Sequence, residues 1–331
     1  MQHGLLSSLL LSTSLLVSSV GMGHATEMSS QAVETWLENE QIQSKTAELL
    51  ELVMRDEVDS LRFSLERLAF PQQEVARYQL LKKLEQQNVV LTAKMSIFIE
   101  QQRAIVPTYQ VLERGDGYEF TTPAFNFPSI ASRLIKQWRQ DQTTLVFVLD
   151  AEKKQLDLQK WLSGSDHQVQ AREALLIREL DSLSPEAVDF LSSQFAGSTI
   201  VSWLPSTQVV VRFAQVSEDA SVYQLLWKMR ADYHSQAELE RLAKTHQPFA
   251  LQQVMEATKN PRLKDEAITL LTRVNPLPDD VKAFLVSRMA IAEEAPLVAR
   301  ELAKQGHTLW LQDLVDDNPT VKGSLIQKFI P

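Results

Sequence analysis

Few side chains in this sequence stand where their types and spacing could do chemistry. The segment Ser163-Gly164-Ser165-Asp166-His167 gathers a hydroxyl, a carboxylate and an imidazole within five residues. A hydrolase uses those groups as nucleophile, orienting acid and base, provided the fold turns them toward one another. Neighbours along a helix or loop rarely face each other, so a Gly-Ser turn with Asp166 capping the next helix is the preferred reading. Asp150 follows the apolar run Thr143 to Leu149. At the carboxyl end of a strand it could present a functional carboxylate, but a role as N-cap to a helix beginning Ala151-Glu152 explains it fully and is the preferred reading. Asp150, Asp166 and His167 are therefore the weak catalytic candidates.

Other chemistry is missing from the pattern. There is no cysteine, and His167, His234, His246 and His307 are too far apart to form a helical metal pair. No nucleophile elbow, phosphate loop or calcium loop is present, so neither a metal nor a cofactor is expected. Arg114-Gly115-Asp116 matches an adhesion tripeptide, which turn chemistry alone explains.

A second group of residues points to a partner rather than to a reaction. Tyr118, Phe120, Phe125 and Phe127 form an aromatic run broken by Pro123 and Pro128. Pro123 cannot sit in a central strand, so that strand should leave its sheet early and expose part of its aromatic content. The helix that follows carries Arg133, Lys136 and Arg139 at i, i+3 and i+6 beside Trp138. Together these seven residues are the candidate partner-binding edge, with a core flap beside a solvated helix face as the alternative.

The elements that must position them read as follows. Residues 1 to 25 resemble a secretory leader: an apolar serine-interrupted run, no charge before Glu27, and Gly23-His24-Ala25 as a small-residue cleavage site. An uncleaved anchor is the alternative, disfavoured because the run is short for a membrane span. With no cysteine and no glycosylation acceptor, the expected location is the periplasm or the medium. No integral membrane segment is expected after leader cleavage. Residues 26 to 106 show helical stripes, with Pro71 at a helix start and a plausible break at Asn88-Val89-Val90.

Residues 107 to 232 read as a five-strand α+β module. A hairpin pairs 108 to 112 with 118 to 122, the run 143 to 149 is a central strand, and a second hairpin pairs 199 to 203 with 208 to 213. Helices are expected at 128 to 139, 151 to 163, 167 to 181, 185 to 195 and 218 to 231. Asp150, Ser184 and Ser217 serve as N-caps.

From residue 233 onward the strands stop and helix starts recur at Ser235 with Glu238, Pro248, Asn260-Pro261, Pro278, Pro296 and Asn318-Pro319. Asn260 to Ile268 with Leu270-Leu271, and Asn318 to Lys322 with Leu325-Ile326, resemble the second-helix openings of HEAT-like repeats. The resemblance covers fewer than 100 residues. It implies a stacked, α-solenoid-like helical domain over 233 to 331 that grips a partner protein, and it implies no catalysis.

Composition closes off several classes. Only six of the nine glycines lie beyond residue 25, too few for a glycine-rich barrel or phosphate loop. The net charge is −9 and each of the three segments is acidic, which argues against nucleic acid as the partner. The expectation is an α+β, mainly helical chain acting as a non-catalytic interaction or scaffold protein of the cell envelope, with a protein partner there. A periplasmic hydrolase acting on an envelope component is one alternative, and a small-ligand binder using the α+β crevice is the other.

Overall fold

The computed structural model describes residues 26–115, 118–196 and 203–330. The expected leader lies outside the described residues, as do the turn residues Asp116-Gly117 and residues 199–202 of the expected second hairpin. The chain is mainly helical with a small three-stranded sheet. It divides after Gln142 into two compact units.

The first unit runs β1 (Thr26–Glu27), α1 (Ser30–Glu38), α2 (Glu40–Met54), α3 (Val58–Glu66), α4 (Gln72–Gln86), α5 (Ala93–Arg103), β2 (Tyr109–Gly115) and β3 (Tyr118–Pro123). It ends within α6 (Phe127–Glu152), which carries the division point. Three of its helix starts carry side-chain caps. Ser29, Asn39 and Thr92 accept the amides of Ala32, Ile42 and Met95 at 3.2, 3.1 and 3.1 Å, satisfying donors that a helix start leaves open. The break after α4 falls where expected, at Asn88, whose φ of 48° is the left-handed turn that asparagine tolerates. The expected hairpin forms between β2 and β3, with Val111 opposite Thr122 and Glu113 opposite Phe120. Unforeseen was β1, which adds to β2 in parallel, Thr26 N donating to Thr108 O at 2.8 Å and Met28 N to Gln110 O at 2.8 Å.

The five-strand module is corrected. The run 143 to 149 is no strand; it is the second half of α6. Nothing between Pro128 and Glu152 is a glycine or proline, and a started helix gains one hydrogen bond for each residue added. Exposure follows helical spacing: Phe147 and Ala151 are fully buried, whereas Leu145, Val146 and Leu149 are exposed. Likewise 208 to 213 is helical. Ser206 accepts the amide of Val209, so Leu204-Pro205-Ser206-Thr207 is a helix entry rather than a hairpin turn. Val209, Val210, Phe213 and Ala214 are buried at i, i+1, i+4 and i+5, a stripe that a strand cannot produce.

The second unit continues through α7 (Leu158–Trp161), α8 (Asp166–Glu179), α9 (Pro185–Ser193), α10 (Thr207–Ser217), α11 (Ala220–Lys228) and α12 (Tyr233–Thr245). After these come α13 (Pro248–Ala257), α14 (Lys264–Thr272), α15 (Asp279–Met289), α16 (Ala295–Lys304), α17 (Thr308–Asp317) and α18 (Gly323–Ile326). Ser184 caps α9 as expected. Three other caps move. Asp150 lies inside α6, Asp219 rather than Ser217 caps α11, and Asp232 caps α12 with Ser235 answering from its third position. In the last two cases a carboxylate at a better offset displaces a serine. Asn260 does not open a helix. Its side chain donates to Trp227 O and Met229 O at 3.0 Å each and accepts from Arg262 N, so it closes the end of α11.

From α12 onward each helix packs on its successor or its next-but-one neighbour: α12 on α13 and α14, α13 on α14 and α15, α14 on α15 and α16, α16 on α17 and α18. Glu238 on α12 is buried and fully engaged, accepting from Tyr223 Oη at 2.8 Å, Gln215 Nε2 at 2.7 Å and the Arg241 guanidinium at 2.7 and 2.8 Å. It joins α10, α11 and α12. Burial, followed by the neighbouring Glu238 carboxylate, holds the Tyr223 hydroxyl well above the ordinary phenol range.

One apolar core spans Ile42 through Ile135 in the first unit, and another spans Phe147 through Ile326 in the second. The expected boundaries at 106/107 and 232/233 each fall inside one of these cores.

Leu271 is completely buried on α14 and Asp265 is exposed on the same helix. Leu271→Ala should cost about 2 to 5 kcal/mol, through lost burial and a residual cavity. Asp265→Ala should stay within about 0.5 kcal/mol of the parent. Urea denaturation checks both, and equal effects would contradict the packing of α14.

Candidate functional site

The catalytic candidates are not assembled by the fold. Asp150 is a partly buried residue of the α6 interior, whose carbonyl accepts the amides of Gln155 and Leu156. Asp166 and His167 are exposed in the first turn of α8. Ser165, not Asp166, occupies the N-cap, and its amide donates to Gln168 Oε1 at 3.1 Å. Ser163 Oγ turns back to Lys160 O at 2.6 Å. Gly164 has φ of 126°, and a Cβ there would fall 2.7 Å from Gln168 Oε1. Cap geometry therefore accounts for the loop, and no hydrogen bond among the described residues links its carboxylate, hydroxyls and imidazole. No group of three or more metal-ligating side chains converges among the described residues.

The partner-binding candidates separate into two sets. Phe125 and Phe127 are fully buried in the first unit's core, Phe125 packing its ring 6.2 Å from that of Tyr78. Phe120 on β3 is half exposed, and the side chain of Tyr118 lies outside the described residues. Along α6 the cations divide between acidic partners. Arg133 clamps Glu85 through two bonds of 2.6 and 2.9 Å, Arg139 lies 3.9 Å from Glu100, and Lys136 is exposed.

What the fold does build is a groove of about 330 Å³ between α5 and α6. It is lined by Ser96, Ile97, Glu100 and Gln101 from α5, and by Ile135, Trp138 and Arg139 from α6. Two sequence-selected features meet there, Arg139 and the tryptophan beside it. Trp138 is held in place by donating Nε1 to Leu91 O at 3.1 Å. Glu100 ion-pairs with both Arg103 and Arg139. Glu100 Oε2, 3.9 Å from Arg139, is buried without a hydrogen bond among the described residues. Ile97, Ile135 and Trp138 make much of the wall apolar, and the rim charges are of opposite sign, an arrangement suited to an apolar side chain from a partner rather than to charge-driven capture. No family model, curated protein or solved structure matches the chain. Function therefore rests on this geometry.

Ile97, Glu100 and Gln101 were absent from the sequence reading. A signal existed. The buried residues of α5 are Met95, Ser96, Phe98, Ile99 and Gln102, and Ile97 projects off that stripe with 60% of its surface exposed. An isoleucine on the solvent face of a helix with an intact core stripe marks the groove wall.

The hydrogen bond from Arg133 holds the Glu85 carboxyl below its ordinary value of 4.5. A carboxylate depressed in the folded state adds stability above its unfolded range and loses it as pH falls through its folded value. Glu85→Gln should thus cost about 0.2 to 1 kcal/mol at neutral pH, the range of exposed ion pairs. The difference should shrink as pH drops below 4.5 and vanish once the folded carboxylate is protonated. Paired urea titrations across pH check it; a difference that grows toward acid would refute the assignment.

Proposed function

We propose that this protein is an exported, non-catalytic interaction or scaffold protein of the cell envelope, located in the periplasm or secreted. Its partner is a protein that seats an apolar side chain between α5 and α6. The observation that carries the reading is the groove itself: Ile97 and Trp138 both line an open cleft whose acidic rim residue, Glu100, already has Arg103 and Arg139 as ion-pair partners. A partner entering it buries apolar surface against Ile97 and Trp138, and an aromatic anchor of this kind is what binding hot spots use.

The order of helix packing from α12 to α18 supports a scaffold. Each helix touches near neighbours in the chain, which is how α-solenoid repeats of the HEAT-like kind are built, and we read residues 233 to 331 as such a stack. The acidic balance of every segment favours a protein partner over nucleic acid. Among the described residues no helix is long and apolar enough to cross a membrane.

A photoreactive benzoylphenylalanine in place of Ile97, expressed in the exporting host, tests the groove. A discrete crosslinked protein at Ile97, absent when the probe replaces the fully exposed Asp279, is the expected result. Equal labelling at both positions, or none at Ile97 with the folded protein present, overturns it. Loss of a cellular function through Asp150→Ala or His167→Ala alone, with Ile97→Glu silent, would replace the scaffold by an enzyme.

Export has its own check. Protein recovered from the host should begin at Thr26 or within a few residues of it by intact mass, and retention of residues 1 to 25 would establish an anchor instead.

A further inference from the structure

A second cleft, of about 300 Å³, opens between α3, α4 and α5, and two arginines line it. Arg77 Nη1 donates to Gln102 Oε1 at 2.6 Å, and Arg62 Nη2 donates to Gln101 Oε1 at 3.1 Å. Both acceptors are neutral amides. Gln102 is itself fixed, since its Nε2 donates to Phe98 O at 3.2 Å, and this turns its oxygen toward Arg77. Among the described residues neither guanidinium has a carboxylate within 4.0 Å. Glu66 lines the same cleft beyond that reach. Glu74, one turn before Arg77 on α4, is buried and already accepts the amides of Thr108 and Tyr109.

Such an arrangement is costly for the protein alone. Burial outweighs the attraction of Glu66 and Glu74 and brings Arg77 below its ordinary range, so the cation is desolvated without an ionic partner. A neutral residue could have held Gln102. Each arginine carries five N–H donors in a planar fork, of which the protein engages one at each site through a glutamine. The fork matches a carboxylate. Leu65 and Phe98, each only 1% exposed, supply an apolar floor with Ile105. Glu66 in the cleft and Glu74 one turn from Arg77 already offset part of the two guanidinium charges, so the site suits a monoanion better than a dianion, which these carboxylates would repel.

We propose that the α3–α4–α5 cleft binds an organic monocarboxylate bearing a compact apolar group, its carboxylate taken by Arg77 and Arg62 and its apolar part laid on Leu65 and Phe98. The cleft lies at the low end of ligand-site volumes, about 300 to 1,000 Å³, with room for a ring or a branched side chain. The carboxylate belongs either to a free small acid or to the C-terminal residue of a polypeptide. This site shares Gln101 with the Ile97–Trp138 groove, but its ligand and its test are separate from the groove's.

Ligand-observed NMR titration of the protein recovered from the exporting host tests the assignment. The probes are benzoate, benzyl alcohol as its neutral counterpart, and the tripeptide acetyl-Gly-Gly-Phe as free acid and as amide. Benzoate should bind roughly tenfold or more tightly than benzyl alcohol, the discrimination expected of a charge-assisted hydrogen bond. The peptide acid should likewise exceed its amide. A peptide acid stronger than benzoate identifies a polypeptide C-terminus as the source, and the reverse order identifies a free acid. Arg77→Gln should weaken benzoate by roughly tenfold. Arg62→Gln, at the more exposed guanidinium, should also weaken it and supplies the test if Arg77→Gln fails to fold, as judged by its thermal transition. The proposal is overturned if benzoate and benzyl alcohol bind alike, if folded arginine variants keep parental affinity, or if neither acid binds at about 10 mM.

Discussion

A buried carboxylate on α4 ties the sheet of the first unit to its helices. Glu74 has only 3% of its surface exposed, and it receives the amides of Thr108 and Tyr109 at 2.6 and 3.4 Å, where the chain leaves α5 and enters β2. An ionised group out of water must be compensated or it destabilises the fold, and backbone amides that strand pairing has left open supply the compensation. Thr108 in turn accepts from Thr26, so the edge strand β1 hangs on the same peptide unit. One turn further along α4 stands Arg77. The same helix thus fastens the sheet with an anion and lines an open cleft with a cation, and the placement of both depends on how Val75, Leu80, Leu81 and Leu84 seat α4 in the core.

The second unit handles buried charge differently. Glu238 collects a phenol, an amide and a guanidinium from three helices, which leaves it saturated and closed to any guest. Full satisfaction rigidifies, whereas a buried polar group with donors left over carries a desolvation cost. The contrast between Glu238 and Arg77 separates a polar group that holds helices together from one with capacity to spare.

Legibility in the sequence followed the local character of each signal. Proline and serine at Ser184-Pro185, the pairing of the first hairpin's two strands, and the break at Asn88 all act through neighbouring backbone, so they could be read directly. The failures at Thr143 to Leu149 and Gln208 to Phe213 share one cause: β-branched and aromatic residues were weighed as strand formers, while burial at i and i+4 overrode that preference. Residues 26 and 27 escaped notice because a two-residue strand has no pattern. Of the partner-binding candidates, Arg139 came to the groove with Trp138, Phe125 and Phe127 went to the core, and Arg133 turned to Glu85. Which of several cations meets an acid 48 residues away is a tertiary fact with no local trace. Ile97 was legible in principle, as an apolar residue off the α5 stripe.

Asn260 also bears on chemical ageing. Its amide is buried against the last carbonyls of α11, where conversion to aspartate would set a negative charge beside Trp227 O and Met229 O. The usual route to that conversion begins with attack on the side-chain amide by the backbone nitrogen of the following residue, which must first give up a proton. Here that residue is Pro261, whose nitrogen has no proton to give. The asparagine that closes α11 is thereby shielded from the route by which most asparagines slowly lose ammonia, and this joint of the second unit is protected against it by its own sequence.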